Sequence, residues 1–356
     1  MKIIHTSDVH LASKLSARLP SSKASLRRRE LTESFFRMCR DGMEMGASAM
    51  IIAGDLFDSD KATKKELDTV LSIIDRAENM KFFYLPGNHE RSLVKSSGEL
   101  LPKNLYIFDS EWTYFDLSDI TIAGRSETAP DAFSSLKLDS SRKNIVVLHG
   151  ELRDRTKAGG VIGLKDAADK NIDYLALGHY HTYSSGRIDR RGVYAYSGTP
   201  EGRGFDETGE LGFSLIDVSE WGVSHKFVPF AKRKMLVVDV DISDTLRTHE
   251  VEARMNDALT GVGEENIIRV NFIGQRELEL RCDKEFLSRK FSESFYYLEI
   301  KDSSKLLTRA EDYKYDRSLK GEFIRLCLED ETLSDEEKEK IIHCGLSALS
   351  GEAFDE

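Results

Sequence analysis

The sequence lacks the features that mark secreted, membrane and zinc-finger proteins. It has four cysteines with no CxxC spacing, so neither a disulfide framework nor a thiolate zinc site is indicated. No apolar run reaches the ~20 residues of a membrane span, and the first residues are typical of a strand rather than a signal peptide. We therefore expect a cytoplasmic protein without membrane contact, and ordinary buried thiols at Cys39, Cys282, Cys327 and Cys344.

Several catalytic motifs are also missing. No GxxxxGK[ST], GxSxG or HExxH sequence occurs, so the chain has no phosphate-binding loop, serine elbow or single-zinc peptidase motif. Any ATP hydrolysis would have to come from a partner protein.

The charge is uneven along the 356 residues. The net charge is −11, and the segment 321–356 alone holds 11 acidic and 3 basic residues. Basic clusters in the body could contact phosphates, although such runs are more typical of solvated faces. They are Arg27-Arg28-Arg29, Lys61 with Lys64-Lys65, and Lys232-Arg233-Lys234.

Strands and helices alternate in the first half. Apolar runs at 2–6, 48–53 and 81–85 predict strands, and helical spacing follows each of the first two. This β-α-β-α-β pattern is typical of an α/β layer with functional groups at the carboxyl ends of its strands. Residues 15–26 predict an exposed loop, and the short strands between 104 and 228 predict a second sheet.

The rest of the chain predicts two smaller parts. Strand patterns at 235–242, 266–273 and 296–300 flank a helix at 249–259, which indicates a separate α/β unit. Two helices follow within 321–350, the second beginning after a capping sequence at Ser334.

Polar residues cluster where the predicted strands stop. Asp8 and His10 alternate along an extended chain and so point the same way, and Asp55 follows a glycine. His5 lies within its strand and is expected to be a packed core histidine. Five of the nine histidines and one asparagine share the strand-end placement: His10, Asn88, His89, His149, His179 and His181.

This set of side chains is suited to two divalent ions. Carboxylate, imidazole and amide ligands favour manganese, iron or zinc over calcium, and we expect manganese, with magnesium, iron and zinc as alternatives. Two such cations held by Asp8 and Asp55 leave a positive site that attracts a phosphodiester. His89 would be close enough to protonate the leaving oxygen or to stabilise the transition state.

The ordered motifs D-x-H, G-D-x-x-D, G-N-H-E, H-G and G-H-x-H resemble those of a calcineurin-like metallophosphoesterase over residues 1 to about 200. The resemblance implies a four-layer α/β/β/α sandwich. It also implies one ion held by Asp8, His10, Asp55 and His181, and a second held by Asp55, Asn88, His149 and His179.

Residues that flank these motifs indicate which branch of the family the chain resembles. The segments 8–11, 54–58 and 197–203 are similar to SbcD-type DNA repair exonucleases, the bacterial counterparts of the meiotic-recombination-eleven nuclease, and to their YhaO-like members. That family implies a capping domain, DNA as substrate, an SbcC-type ABC ATPase partner bound by the C-terminal helices, and a homodimer formed by the helix after Ala62. Asp58 stands where archaeal and eukaryotic members carry histidine, and Glu90 replaces aspartate as a partner of the ligands.

We therefore expect a metallophosphoesterase domain at 1–230, an α/β cap at 231–302 and a helical tail at 303–356. The expected activity is metal-dependent exonuclease, and possible endonuclease, cleavage of DNA. Three alternatives remain open: a phosphatase or phosphodiesterase for small esters, a non-catalytic scaffold for the ATPase, and an unrelated accessory domain in place of the cap. The tail could also fold against its own cap instead of a partner.

Overall fold

A computed structural model describes residues 1–15, 17, 19–58, 62–86, 90, 101–127, 132–155, 160–277, 280–307, 313 and 315–350. The chain divides into two compact units, Met1–Met235 and Leu236–Glu356. The predicted bounds of three domains stay a prediction. Within the described ranges, no helix combines the length and apolar character that crossing a membrane requires.

The first unit is built on two six-stranded sheets. The first sheet has the order β14-β13-β1-β2-β3-β4, with β1 to β4 parallel, and the second has the order β11-β12-β10-β7-β6-β5, with β6, β7, β10 and β12 parallel. In chain order the strands are β1 (Lys2–Thr6), β2 (Ala47–Ile52), β3 (Lys81–Tyr84), β4 (Leu105–Ile107), β5 (Thr113–Leu117), β6 (Ile120–Gly124), β7 (Lys143–His149), β8 (Glu151–Arg153), β9 (Val161–Gly163), β10 (Tyr174–Gly178), β11 (Ser184–Arg187), β12 (Val193–Tyr196), β13 (Gly212–Ser219) and β14 (Gly222–Pro229).

Helices cover the outer face of each sheet. The side chains of a strand alternate between its faces, so Ile3 packs between the sheets whereas Ile4 packs under the helices. Apolar residues of the second sheet, such as Val146, pack against its own short helices. The predicted α/β/β/α sandwich is therefore confirmed. Its helices are α1 (Ser21–Glu44), α2 (Lys64–Arg76), α3 (Ala132–Ser135) and α4 (Leu164–Ala167).

The second unit is a small α/β layer followed by two helices. A sheet of order β15-β16-β18 packs on α5 and α6 through residues such as Met255, Phe272 and Leu287. The helical pair, α7 and α8, packs through Ile324 and Ile342. The elements are β15 (Met235–Asp241), α5 (Thr248–Leu259), β16 (Ile267–Ile273), β17 (Gln275–Arg276), α6 (Lys284–Ser292), β18 (Tyr297–Asp302), β19 (Lys305–Leu306), α7 (Leu319–Glu329) and α8 (Asp335–Ser350).

The predicted loop at 15–26 is wrong in its second half, because α1 begins at Ser21. The helix begins earlier than predicted because of a contact with a residue far away in the sequence. Arg27 is fully buried and pairs with Glu30 at 3.2 Å and with Glu201 at 2.7 Å, which anchors the helix before its apolar pattern begins.

Four residues of the predicted basic clusters pair with acids inside the first unit. Besides Arg27, both Lys232 and Arg233 pair with Glu30, at 3.0 and 2.7 Å, and Lys234 pairs with Glu210. Lys64 and Lys65 begin α2 and are exposed, whereas Lys61 lies outside the described residues.

The thiol prediction is wrong at Cys344, which is exposed on α8. Its neighbours Ile342 and Leu346 are buried, so a residue midway between them points away from the packed face. Cys39 and Cys327 are buried, as predicted, and Cys282 is half-buried.

Candidate metal centre

The predicted ligands converge where strands of the two sheets end. Asp8 and His10 follow β1 and Asp55 follows β2, while His149 ends β7 and His179 follows β10. Backbone bonds fix the two loops of the first sheet to each other, since the Asp8 N–H donates to the Gly54 carbonyl at 3.1 Å and the His10 N–H to the Asp55 carbonyl at 3.0 Å. The backbone N–H of His179 donates to the Asp8 carboxylate at 3.0 Å, which joins the sheets.

Four of these residues have left-handed backbone. The φ angles are 51° at Asp8, 47° at His10, 50° at Asp55 and 113° at His179. Such angles are uncommon outside glycine and cost of order 1–3 kcal/mol each. Here they turn side chains at the strand ends toward a common centre.

The side-chain donors form two overlapping groups within 4.8 Å of one another, one of Asp8, His10 and His181, the other of Asp8, Asp55 and His149. Asp8 Oδ1 lies 4.0 Å from His10 Nε2 and 3.8 Å from His181 Nε2, and Asp55 Oδ2 lies 3.6 Å from His149 Nε2. At ~2.0–2.2 Å per ligand, one ion can reach two donors at such separations.

In two imidazoles the outer ring nitrogen, Nδ1, which points away from Asp8 and Asp55, has a hydrogen-bond partner. His149 Nδ1 donates to the Ala53 carbonyl at 2.9 Å, and His181 Nδ1 lies 2.7 Å from Glu207 Oε1. Since a carbonyl or carboxylate oxygen can only accept, both Nδ1 atoms carry the proton and both Nε2 lone pairs face the acids. This is how histidine ligands of metals are usually oriented.

Glycine is required at two positions of the centre. A Cβ on Gly54, whose φ is +93°, would lie 2.2 Å from His149 Nδ1. A Cβ on Gly178 would lie 2.0 Å from the Ala53 carbonyl oxygen that binds this imidazole. The His149 ring therefore fills space that only glycine leaves.

Burial and neighbouring charges shift the pKa values of the groups in the centre in different directions. Burial, followed by the nearby Arg203 charge, lowers the pKa of His10 to about 3, so this imidazole is neutral. Burial raises the pKa of Asp55, while the hydrogen bond to Glu207 raises the pKa of His181. Burial alone would raise the pKa of Glu207, but hydrogen bonds to His181 and Arg203 lower it to about 2.

A cation fits this arrangement. Both ring nitrogens of His10 are buried and make no hydrogen bond to any residue that the structure describes. Unsatisfied buried polar atoms are costly and rare, and a ligand site accounts for them. The neutral His10 and the carboxylates of Asp8 and Asp55 are the donor types expected for a divalent transition ion.

Some predicted residues lie outside this geometry. Asn88 and His89 are outside the described residues. The ring centroid of His179 lies 5.6 Å from that of His149, at the edge of the centre. Glu90 is buried and accepts from the Phe57 N–H at 2.6 Å, beside the loop of Asp55. His5 is fully buried, as predicted.

Sequence reasoning missed the roles of Glu207 and Arg203. Glu207 has no strand-end placement, and Arg203 was noted only as the last residue of the segment 197–203. Its side chain is only 11% exposed and pairs with Asp58 and Glu207. The spacing of Arg203 and Glu207 in the loop after β12 matches no general motif; only the tertiary contact with His181 reveals these two residues.

The family model described as calcineurin-like phosphoesterase matches residues 1–198. It covers more than half of the chain, which therefore belongs to the calcineurin-like phosphoesterase family. Membership of this family, together with the ligand groups around Asp8, indicates a phosphoesterase that uses divalent metal ions.

Three curated relatives indicate which members of this family the chain is similar to. The "DNA double-strand break repair protein Mre11" of Methanosarcina acetivorans is 23% identical over 350 residues, covering 93% of this chain and 53% of that protein. The SbcD component of the nuclease SbcCD of Staphylococcus saprophyticus is 23% identical over 288 residues, covering 69% and 74%. The "Uncharacterized metallophosphoesterase YhaO" of Bacillus subtilis is 23% identical over 247 residues, covering 64% and 60%.

The predicted resemblance to SbcD-type and YhaO-like proteins is thus confirmed. The chain spans about half the length of the Methanosarcina relatives that it matches.

Proposed function

We propose that the chain is a metal-dependent nuclease that hydrolyses DNA phosphodiesters in DNA repair, as an exonuclease and in some contexts an endonuclease. The observation that carries the proposal is the convergence of Asp8, His10, Asp55, His149 and His181, with two of the imidazoles held in ligand orientation. DNA as substrate is supported by the names of the relatives, which are a double-strand break repair protein and a nuclease.

We assign two ion sites to this centre. Asp8, His10, Asp55 and His181 would hold one ion, and Asp55, Asn88, His149 and His179 would hold the other, with manganese as the expected metal. When bound, the two ions supply Lewis-acid chemistry that stabilises the charge of an in-line displacement at phosphorus.

The chain's own residues orient the metal ligands and move the proton. Asp8 is buried and held by the Ser7 hydroxyl at 2.5 Å, so its carboxylate keeps one orientation during turnover. His89 donates the proton to the leaving oxygen. The carboxylates of Asp8 and Asp55 offset part of the positive charge of the two ions. A phosphodiester therefore binds to the centre but can still dissociate from it.

The second unit supplies the partner surface. We infer that the chain works with an SbcC-type ABC ATPase that binds α7 and α8, because the acidic segment 321–356 repels DNA and leaves protein as its contact. Under this proposal residues 231–302 form the cap and 303–356 the docking tail, and a homodimer forms through α2.

The test is cleavage of an end-labelled linear duplex by the purified chain with manganese, beside a small chromogenic phosphodiester. Expected results are DNA cleavage by the unmodified chain and none with EDTA or with His89→Asn. His249→Asn, on the exposed face of α5, is the matched control and retains activity. Absence of DNA cleavage even with the ATPase partner present would contradict the proposal.

One observation favours a second candidate, a phosphodiesterase or phosphatase of small esters. Arg27, Lys232, Arg233 and Lys234 pair with acids of their own unit, which leaves fewer cations for a long polyanion. The double variant Lys64→Ala/Lys65→Ala separates the two functions. Lost DNA binding with intact small-ester hydrolysis supports the nuclease; small-ester hydrolysis by an unmodified chain that binds no DNA supports the second candidate. A metal content near zero would instead indicate a non-catalytic scaffold.

A further inference from the structure

Arg203 is a largely buried cation behind the metal centre. Its Nη1 donates to Asp58 Oδ1 at 2.9 Å, and its Nε donates to Glu207 Oε1 at 3.1 Å. Its backbone N–H also donates to Glu207 Oε2 at 2.7 Å. One guanidinium therefore joins two carboxylates, and its planar fork fixes the direction in which each is held.

Each of these carboxylates faces the outer nitrogen of an imidazole. Glu207 Oε1 lies 2.7 Å from His181 Nδ1, and Asp58 Oδ1 lies 3.4 Å from His10 Nδ1. His181 Nδ1 donates its proton to Glu207, which is the shorter contact. Arg203 Nη2 lies 3.2 Å from the same nitrogen, but both of these atoms carry hydrogen, so they form no hydrogen bond with each other. Both Nε2 atoms are left facing Asp8.

The remaining imidazole of known orientation is held differently. His149 Nδ1 donates to the backbone carbonyl of Ala53, and the Ala53 N–H in turn donates to the Thr6 carbonyl at 2.8 Å. This partner is part of the sheet and does not depend on Arg203. The two sides of the centre thus differ in what orients their histidines.

We propose that Arg203 is a positioning residue that holds Asp58 and Glu207 behind His10 and His181. It thereby sets the affinity of one ion site while leaving the His149 site unchanged. The inference rests on the proposed function in so far as that function requires two bound ions. Loss of a partner of a metal-ligating histidine typically weakens metal binding 10–100-fold.

The experiment titrates the full chain with Mn²⁺ by calorimetry and follows the bound ions by electron paramagnetic resonance, which separates paired from isolated ions. We expect two ions in the unmodified chain. Arg203→Met is expected to keep one ion at unchanged affinity, to bind the other about 10–100-fold more weakly, and to show the signal of an isolated ion.

Two further variants keep the test decisive if Arg203→Met does not fold. Arg203→Lys keeps the charge but loses the planar guanidinium. Asp58→Asn keeps the arginine but weakens its hydrogen bond to position 58. Both variants are expected to lower the affinity for the same ion. The matched control is Arg191→Lys, because Arg191 also pairs with a nearly buried acid, Asp173, at 2.8 Å, outside the centre. It should leave both affinities unchanged.

Two results would overturn the inference: unchanged affinities in all Arg203 and Asp58 variants, or equal weakening of both ions, which marks general support of the fold. A chain that binds two ions but cuts no DNA even with the ATPase partner present overturns the proposed nuclease and leaves this inference standing. A chain that binds no ion overturns both.

Discussion

Both units place aspartates at strand ends, yet the two sets behave differently. Asp241 and Asp302 end β15 and β18 in the second unit, are exposed, and accept from the Oγ atoms of Ser243 and Ser304 at 2.6 Å. These are local turns in which the carboxylate binds a serine two residues on. Asp8 is instead fully buried.

The comparison shows what separates a turn-forming acid from a ligand. Asp8 and Asp55 have left-handed backbone and face imidazoles at 3.6 to 4.0 Å, whereas Asp302 accepts from its neighbour Ser304 and pairs with an exposed lysine, Lys284, at 3.4 Å. A strand-end carboxylate becomes a candidate ligand when burial and backbone geometry direct it to partners far along the chain.

The largest expected effect is that of Asp8→Asn compared with Asp302→Asn. Asp8→Asn keeps the shape but removes a charge from the centre, so we expect Mn²⁺ affinity to fall more than ~100-fold, beyond the loss caused by an indirect partner. Asp302→Asn should bind Mn²⁺ as the unmodified chain does. Calorimetric titration measures both, and equal effects would erase the distinction.

A smaller effect is expected for Gly54→Ala compared with Gly261→Ala in the second unit. Both glycines have positive φ, +93° and +81°, but nothing lies within 4 Å of a Cβ on Gly261. Backbone strain should cost each variant about 1–2 kcal/mol in chemical unfolding. Only Gly54→Ala should also displace His149 and lower the affinity for one ion ~10–100-fold; unchanged affinities for both ions would contradict this.

The pH dependence of stability should follow the buried imidazoles of the first unit. Burial lowers the pKa of His5 from 6.5 to about 3, so the folded chain keeps this imidazole neutral. As pH falls below 6.5 the unfolded chain gains a proton that the folded chain does not. The stability that His5 contributes is therefore present above 6.5 and lost on the way to 3, by ~1.4 kcal/mol per pH unit.

Urea unfolding in EDTA at pH 7.5 and 5 measures this loss by tryptophan fluorescence. Both tryptophans, Trp112 and Trp221, lie in the first unit and report on it alone. His5→Gln should flatten the decrease between the two pH values by about 2 kcal/mol, whereas His249→Gln, at an exposed position, should not. Parallel pH slopes for all three chains would refute the assignment.

The smallest effect is expected at the start of α8. Ser334 Oγ accepts from the Glu337 N–H at 3.3 Å, and Glu337 Oε2 accepts from the Ser334 N–H at 2.8 Å, which is the predicted capping box. Ser334→Ala should destabilise this helix by ~1 kcal/mol and raise amide exchange in its first turn about fivefold. Ser288→Ala, inside α6, should not raise exchange, because alanine favours helix interiors.

The sequence predicted the sandwich through its resemblance to a known family, and it placed the candidate ligands at strand ends. Short apolar runs specify strands, so Asp8 could be placed at the end of one strand and His149 and His181 near the ends of others, but which sheet each strand joins was not predicted from these runs. The predicted strand bounds were reproduced to within one residue at β1, β2 and β3.

The rest depends on contacts distant in sequence. No local pattern says that Arg27 is buried by Glu30 and Glu201, so its cluster was expected to be solvated. Glu207 becomes a partner of His181 only once the loop after β12 has folded. Helix α6 was also missed, since its signal is little more than the cap at Asp283, whose side chain accepts from the Phe286 N–H at 2.8 Å.

The hydrogen bond from the His179 N–H to Asp8 joins positions 171 residues apart in the chain. Closing a loop of that length is slow and contributes only after the intervening strands have paired. No early fragment can contain a complete ion site. Asp8, the first residue of the centre, is joined by the last only after synthesis has passed residue 181. Ion uptake is therefore a late event in the biogenesis of this protein, and bound metal is a sign that strands of the two sheets have come together.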